Sequence, residues 1–215
     1  MIKSPAMPRF FVEKITHPAV LSPEESRHAV RALRLGVGDR VTVFDPVEMW
    51  IGEIESVDGR VRVRLLERIE RPALPAVTVA AAVPKGARLD WMVEKLAELG
   101  VAEFVPVRFA RGVAELGEGK RRRLEKIALA ASKQSGAALM RISPERPAKD
   151  LPADALLASP GAVGPLPQGA GIVVVGPEGG LTPEEEARFP RQVSLGTTIL
   201  RIETAAVVAA ARMLG

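Results

Sequence analysis

Gly176-Pro177-Glu178-Gly179-Gly180 puts three glycines and one carboxylate into five residues, a composition suited to holding a small ligand. Backbone N–H and C=O groups approach a ligand closely only where no Cβ intervenes, and glycine supplies that freedom. Glu178 adds a negative charge, which opposes a pyrophosphate and suits a neutral or cationic ligand. The loop lacks the G-x-G-x-x-G dinucleotide fingerprint, and no Gly-Lys-Ser/Thr follows to make a phosphate-binding loop. A tight structural turn is the alternative reading of the same spacing.

The flanking elements predict how such a loop is held. Residues 172–175 (Ile-Val-Val-Val) read as a buried strand, and Leu181-Thr182-Pro183-Glu184-Glu185-Glu186 opens a helix. Thr182 is a good N-cap and Pro183 fits the first turn. Glu185, three residues after the cap, can bond back to the cap's own N–H. A buried strand, then glycines, then a helix start is how α/β proteins build a ligand site at the carboxyl end of a sheet. A second punctuated segment follows, Leu195-Gly196-Thr197-Thr198-Ile199-Leu200-Arg201-Ile202-Glu203-Thr204-Ala205.

From residue 76 onward strands and helices alternate. Strands are predicted at 77–83, 104–107, 156–158, 172–175 and 192–195, with helices at 89–99, 120–135 and 204–214; Gly100 ends the first helix. Such alternation implies a parallel sheet covered by helices. Residues 1–72 differ. Alternating segments at 40–44, 50–54 and 61–65, with turns at Asp45-Pro46 and Asp58-Gly59, predict a small β-rich domain. One helix precedes them, opened by Ser22-Pro23-Glu24-Glu25 and stopped by Gly36 or Gly38. Arg71-Pro72-Ala73-Leu74-Pro75 reads as a linker, so the expected domains are 1–72 and 73–215.

Composition narrows the function classes. The 215 residues are 47% apolar, enough to fill a core. Absence of cysteine excludes disulfides, thiolate metal sites and a cysteine nucleophile. Neither a signal-type apolar start nor a membrane-length apolar run occurs, so a cytoplasmic protein is expected. The formal net charge of +4 permits a nucleic-acid partner. With 12 basic and 11 acidic residues before position 73 and 18 and 15 after it, an RNA surface has to come from local clustering. His28 has no second metal ligand nearby, and no metal site is expected.

The two punctuated segments resemble the cofactor-binding signature of the SPOUT methyltransferases, specifically the RsmE family. Further matches run in the family's order along most of the chain. They include Pro8-Arg9-Phe10-Phe11-Val12, His28-Ala29-Val30-Arg31-Ala32-Leu33-Arg34, Gly38-Asp39, Lys85-Gly86, residues 94–100 and Ala131-Ser132-Lys133-Gln134-Ser135-Gly136. Departures are Leu181-Thr182 in place of Phe-Ser, Ile202 in place of Thr, and Ala137 in place of Arg. The resemblance implies a SPOUT-type α/β fold: a parallel sheet tied in a trefoil knot with helices on both faces, preceded by a small PUA-like β-barrel domain. It also implies S-adenosylmethionine as cofactor, and methylation of uridine N3 in 16S ribosomal RNA, either naked or in the assembled small subunit.

On that resemblance, cofactor binding falls to Leu157, to Gly176, Pro177, Glu178, Gly179 and Gly180, and to Leu195, Gly196, Ile199, Leu200 and Arg201. Core packing is the alternative for Leu195, Ile199 and Leu200. Methylating N3 requires loss of a proton. Arg201 stays protonated and would stabilise the uridine anion at O2 or O4, while Glu203 would accept the proton, directly or through water. An Arg201–Glu203 salt bridge holding the loop is the alternative. RNA contacts are expected from Arg9, His28, Arg31 and Arg34, and from Lys133, Gln134 and Ser135 at the end of the basic helix. Arg27, Arg31 and Arg34 would share one helical face, and Arg60, Arg62 and Arg64 one strand face. The small, apolar last helix must be buried, and the resemblance implies a homodimer. The competing functions are a non-catalytic RNA-binding protein of the same fold and a nucleotide- or NAD-dependent enzyme.

Overall fold

The computed structural model describes residues 7–70, 74–112 and 116–215. The chain divides into two compact units, Met1–Ala73 and Leu74–Gly215. Residues 71–73 of the expected linker lie outside the described residues.

The first unit contains β1 (Arg9–Phe11), β2 (Ala19–Val20), α1 (Pro23–Arg27), β3 (Arg40–Phe44), β4 (Met49–Ser56) and β5 (Arg62–Ile69). The strands form one sheet in the order β1-β3-β4-β5-β2, in which β1 runs parallel to β3 and the other pairs are antiparallel. Among the described residues the two short strands end the path without pairing with each other, so the sheet is a half-barrel, open between β1 and β2. Its core gathers the inward residues of alternating strands, including Phe10, Val41, Val43, Ile54 and Val63, all fully buried.

Ser22 caps α1 by accepting from the Glu25 N–H at 3.1 Å. The helix does not continue in α geometry to the glycines. It widens into a π-helical turn over His28–Ala32, and Arg34 adopts a left-handed φ of 56°. The helical turns therefore end at Ala32 with Leu33 as C-cap, before Gly36 and Gly38. Arg34 lies beyond the last helical residue, so it does not share a helical face with Arg27 and Arg31 as expected.

The second unit contains β6 (Val77–Ala82), α2 (Ala87–Leu99), β7 (Glu103–Arg108), α3 (Glu118–Ser135), β8 (Arg141–Ile142), β9 (Arg146–Pro147), β10 (Leu156–Ala158), β11 (Gly171–Val175), α4 (Pro183–Ala187), β12 (Gln192–Val193) and α5 (Ile202–Leu214). All recorded pairings are parallel, in the order β12-β10-β11-β6-β7-β8, with β9 also beside β7. The central strands β6 and β11 are Val/Ala runs because both faces of a parallel sheet are covered. Phe104, Val79, Val173 and Val174 are fully buried between them and the helices. A fully buried side chain of this size contributes about 1.5–3 kcal/mol over an exposed one.

Gly100 ends α2 in a left-handed C-cap (φ 87°), where an added Cβ would also meet Leu74. α2 packs against both α3 and α5, and α5 lies on β6 and β11. Its alanines (205, 206, 209 and 210) are buried there, which is why this helix is made of small residues. Three strands of the sheet, β10, β11 and β12, end side by side, and the loops that follow them form the candidate site.

Candidate functional site

The loops after β10, β11 and β12 enclose a cleft of about 420 Å³, within the size range of small-molecule sites. Leu157, Ala158, Ser159 and Pro160 line it from β10. Val175, Gly176, Pro177, Glu178, Gly180 and Leu181 line it from β11. Leu195, Gly196, Thr198, Ile199 and Leu200 line it from the segment after β12. Ile202 and Ala205 of α5 close the floor, and Glu186 adds a second carboxylate.

The glycine loop is held firmly. The Gly180 N–H donates to the Pro177 carbonyl at 2.9 Å, closing a turn, and Gly180 has φ +73°, where a side chain is strained. A Cβ on Gly176 would lie 2.3 Å from the Leu181 side chain, so its absence lets Leu181 form part of the wall. Arg111 Nη1 donates to the carbonyls of Gly179 and Leu181, each at 3.2 Å. Gly179 faces Arg111 and does not line the cleft.

The helix after the loop starts as its sequence predicts. Thr182 and Glu185 form a reciprocal capping box, with bonds of 3.2 and 3.0 Å. The same Glu185 carboxylate accepts the Ala110 N–H at 2.7 Å, which ties α4 to the segment after β7. At the helix start the Glu184 carboxyl lies below the usual carboxylate range, held there first by its own backbone N–H and then by the Thr182 hydroxyl.

The segment after β12 is built differently. Ser194 Oγ accepts the Gly196 N–H and donates to the Gly196 carbonyl, both at 3.2 Å. Among the described residues, the N–H groups of Thr197, Thr198, Ile199 and Leu200 donate to no backbone carbonyl. Ile199 is 84% exposed, which removes core packing as its role, whereas Leu195 and Leu200 pack partly against the core. Polar backbone and an exposed aliphatic side chain thus meet at one rim of the cleft.

Arg201 is the N-cap of α5, exposed and outside the cleft lining, and has no ion-pair partner among the described residues. Glu203 is 7% exposed in the first turn of α5. The expected alternative of an Arg201–Glu203 salt bridge is not formed. The N-cap's extended backbone (φ −67°, ψ 159°) sets Arg201 apart from the helical residues, and the cation near Glu203 is Arg88. Arg88 Nη1 lies 3.9 Å from Glu203 Oε1 and donates to Glu178 Oε1 at 3.0 Å. Sequence reasoning missed Arg88 and Arg111 because both lie far along the chain from the loops they touch. The nearest signal was the Lys85-Gly86 match just before Arg88.

The expected RNA-binding residues fall in both units. In the first, Arg9 lies in β1 half-buried, and His28 packs edge-on to Phe10 with ring centroids 6.4 Å apart. Arg31 and Arg34 are exposed and without an ion-pair partner among the described residues. Arg60 donates to the Leu21 carbonyl at 2.8 Å and lies before β5, so it does not share the strand face with Arg62 and Arg64, which pair with Glu55 and Glu53. In the second unit, Lys133, Gln134 and Ser135 form the last turn of α3, with Gly136 as a left-handed cap. The first turns of α3 are occupied internally: Arg121 pairs with Glu118 and Glu125, Arg122 with Glu118, and Arg123 with Asp90. Among the described residues no group of acidic or histidine side chains has metal-binding geometry, and no helix is long and apolar enough to cross a membrane.

Comparison with known proteins bears on what this cleft does. Residues 71–214 match the model of an RNA methyltransferase domain, and residues 21–66 that of an RNA methyltransferase PUA domain. Ribosomal RNA small subunit methyltransferase E of Bacillus subtilis is 32% identical over 94% of both chains. The protein of the same name from Mycobacterium bovis is 30% identical over 89% of this chain and 84% of its own. The crystal structure of ribosomal RNA small subunit methyltransferase E from Neisseria gonorrhoeae bound to S-adenosyl methionine superposes with a TM-score of 0.81 at 26% identity, covering 96% of each chain.

Proposed function

The chain belongs to the ribosomal RNA small subunit methyltransferase E family, and on that premise we propose how its own residues carry the reaction. It is an S-adenosylmethionine-dependent methyltransferase of 16S ribosomal RNA. Within that activity the reaction is methylation at N3 of one uridine, on naked RNA or on the assembled small subunit.

The cleft fits the cofactor chemically. Leu157, Leu195, Ile199 and Leu200 offer apolar walls to a flat heterocycle, and the N–H groups of residues 197–200, which donate to no backbone carbonyl among the described residues, offer donors to its edge. Glu178 and Glu186 favour a ligand with cationic groups. When bound, the cofactor supplies an electrophilic methyl on a sulfonium. This chain's residues have to orient that ligand, exclude water and manage the proton on N3. Arg201 stabilises negative charge on O2 or O4 of the uridine, and it cannot accept the proton because guanidinium stays protonated. Glu203 takes the proton, directly or through water.

The observation that carries this reading is the convergence of the three strand-end loops on one cleft, with the uncommitted Arg201 at the start of α5. The test combines calorimetric titration with S-adenosylmethionine and mass spectrometry of small-subunit RNA after incubation with enzyme and cofactor. Binding at one site per chain and a single methylated uridine are expected. Absence of binding would shift the function to the non-catalytic RNA-binding alternative, which the open cleft and unbroken glycine loop disfavour. A homodimer belongs to the same proposal. The face of α5 left over from core packing, Thr204, Val208 and Ala211, is what a second copy would cover, and sedimentation equilibrium tests it. The cytoplasm, where the ribosomal substrate is made, is the corresponding compartment.

A further inference from the structure

Arg88, in the first turn of α2, stands between two carboxylates that belong to different parts of the site. One is Glu178 in the glycine loop, bonded at 3.0 Å; the other is Glu203 at the start of α5, at 3.9 Å, too long for a direct hydrogen bond. Glu203 is nine-tenths buried, and its second oxygen, Oε2, has no hydrogen-bond partner among the described residues. A buried carboxylate is costly unless a countercharge and hydrogen bonds compensate it. Arg88 is the one cation paired with Glu203 among the described residues, and it covers only the Oε1 side. The second oxygen is closed to solvent, so the orientation of this carboxylate rests on Arg88.

From this geometry we propose that Arg88 is a positioning residue for methyl transfer. It fixes the glycine loop relative to α5 through its two carboxylates and holds the Glu203 carboxylate in one orientation for proton acceptance. Because its guanidinium meets Glu178 and Glu203 together, cofactor grip and proton acceptance share one support. The inference rests on the reading of the cleft as the methyltransferase site, and it adds a function to a residue outside the glycine loop and the α5 segment.

The test uses the full-length protein with Arg88→Gln, Arg88→Lys, Glu203→Gln and Arg88→Gln/Glu203→Gln. Cofactor affinity is measured by calorimetry and turnover by single-turnover methylation at saturating RNA and cofactor, with melting curves to establish folding. Arg88→Gln is expected to weaken cofactor binding about two- to fivefold, as for a half-exposed ion pair, and to slow saturated turnover by about 100-fold, as for a misplaced reacting group. Arg88→Lys restores charge without the fork, so it should recover binding more fully than turnover. The double variant should be no slower than the slower of its two single variants, since both changes disable one unit. Normal saturated turnover of Arg88→Gln, or a double variant slowed by the product of the separate effects, would overturn the proposal. Failure of the unaltered protein to bind S-adenosylmethionine would instead sink the underlying site reading, and the two failures are distinguishable.

Discussion

The two longest walls of the cleft are made by different physical means. The glycine loop after β11 is closed by its own turn, clamped by Arg111 on two carbonyls and tied by Arg88 through Glu178. The segment after β12 has one serine–glycine bond pair, four amides without backbone partners among the described residues, and an isoleucine standing almost wholly in solvent. One wall is organised before any ligand arrives, and the other keeps its polar groups for the ligand. On the proposed reading, binding orders the second wall, and the entropy of that ordering opposes affinity, while the first wall is the fixed reference against which the reacting groups are placed.

The sharpest way to break this contrast is to strain each wall at a glycine. Gly180→Val forces a β-branched side chain into φ +73° within the clamped loop and should abolish measurable cofactor binding in a protein that still melts cooperatively. Gly196→Ala (φ +141°, with open space around the added Cβ) should cost far less, because the looser segment can relax. Calorimetry on both decides it, and a larger loss at Gly196 would reverse the assignment of the rigid wall.

Arg201 extends the comparison to chemistry. It follows the adaptable wall yet is fixed at a helix N-cap. Arg201→Ala should lower saturated single-turnover methylation by about 100-fold or more with near-normal cofactor affinity, and Arg201→Lys should recover part of the rate. Loss confined to affinity would make Arg201 part of the wall instead. The proton acceptor would then be sought without an adjacent anion-stabilising cation.

Thr182→Ala removes the cap that anchors the rigid wall to α4, at a cost of about 1 kcal/mol in stability. For a protein of this size that corresponds to a melting temperature lower by about 2–4 °C, with cofactor affinity falling in parallel if α4 supports the loop. The smallest expected effect lies in the other unit. Arg31→Ala should weaken RNA binding modestly and reduce the slope of log affinity against log salt by about one, leaving cofactor binding untouched. An unchanged slope would remove Arg31 from the RNA surface.

Much of this architecture was legible in the chain. The β10 strand and β3 run where their sequences predict, and the Thr182–Glu185 capping box forms as spaced. Strands β2, β8 and β9 escaped because two residues carry no periodicity. The widened turn at His28–Ala32 escaped because an α-helical repeat and a single π turn share the same residue types.

Local sequence determined which segments turn, cap and run buried, because caps, glycine φ angles and apolar runs act over a few residues. Only the tertiary structure decided the electrostatics of the site. Glu203 faces Arg88 from another helix rather than its neighbour Arg201, and the glycine loop is clamped by Arg111, 68 residues away along the chain from Gly179. Charged side chains pair by distance in space, and the parallel sheet brings the ends of distant strands together. The partners of these carboxylates and carbonyls were therefore fixed by strand order, which no local pattern encodes.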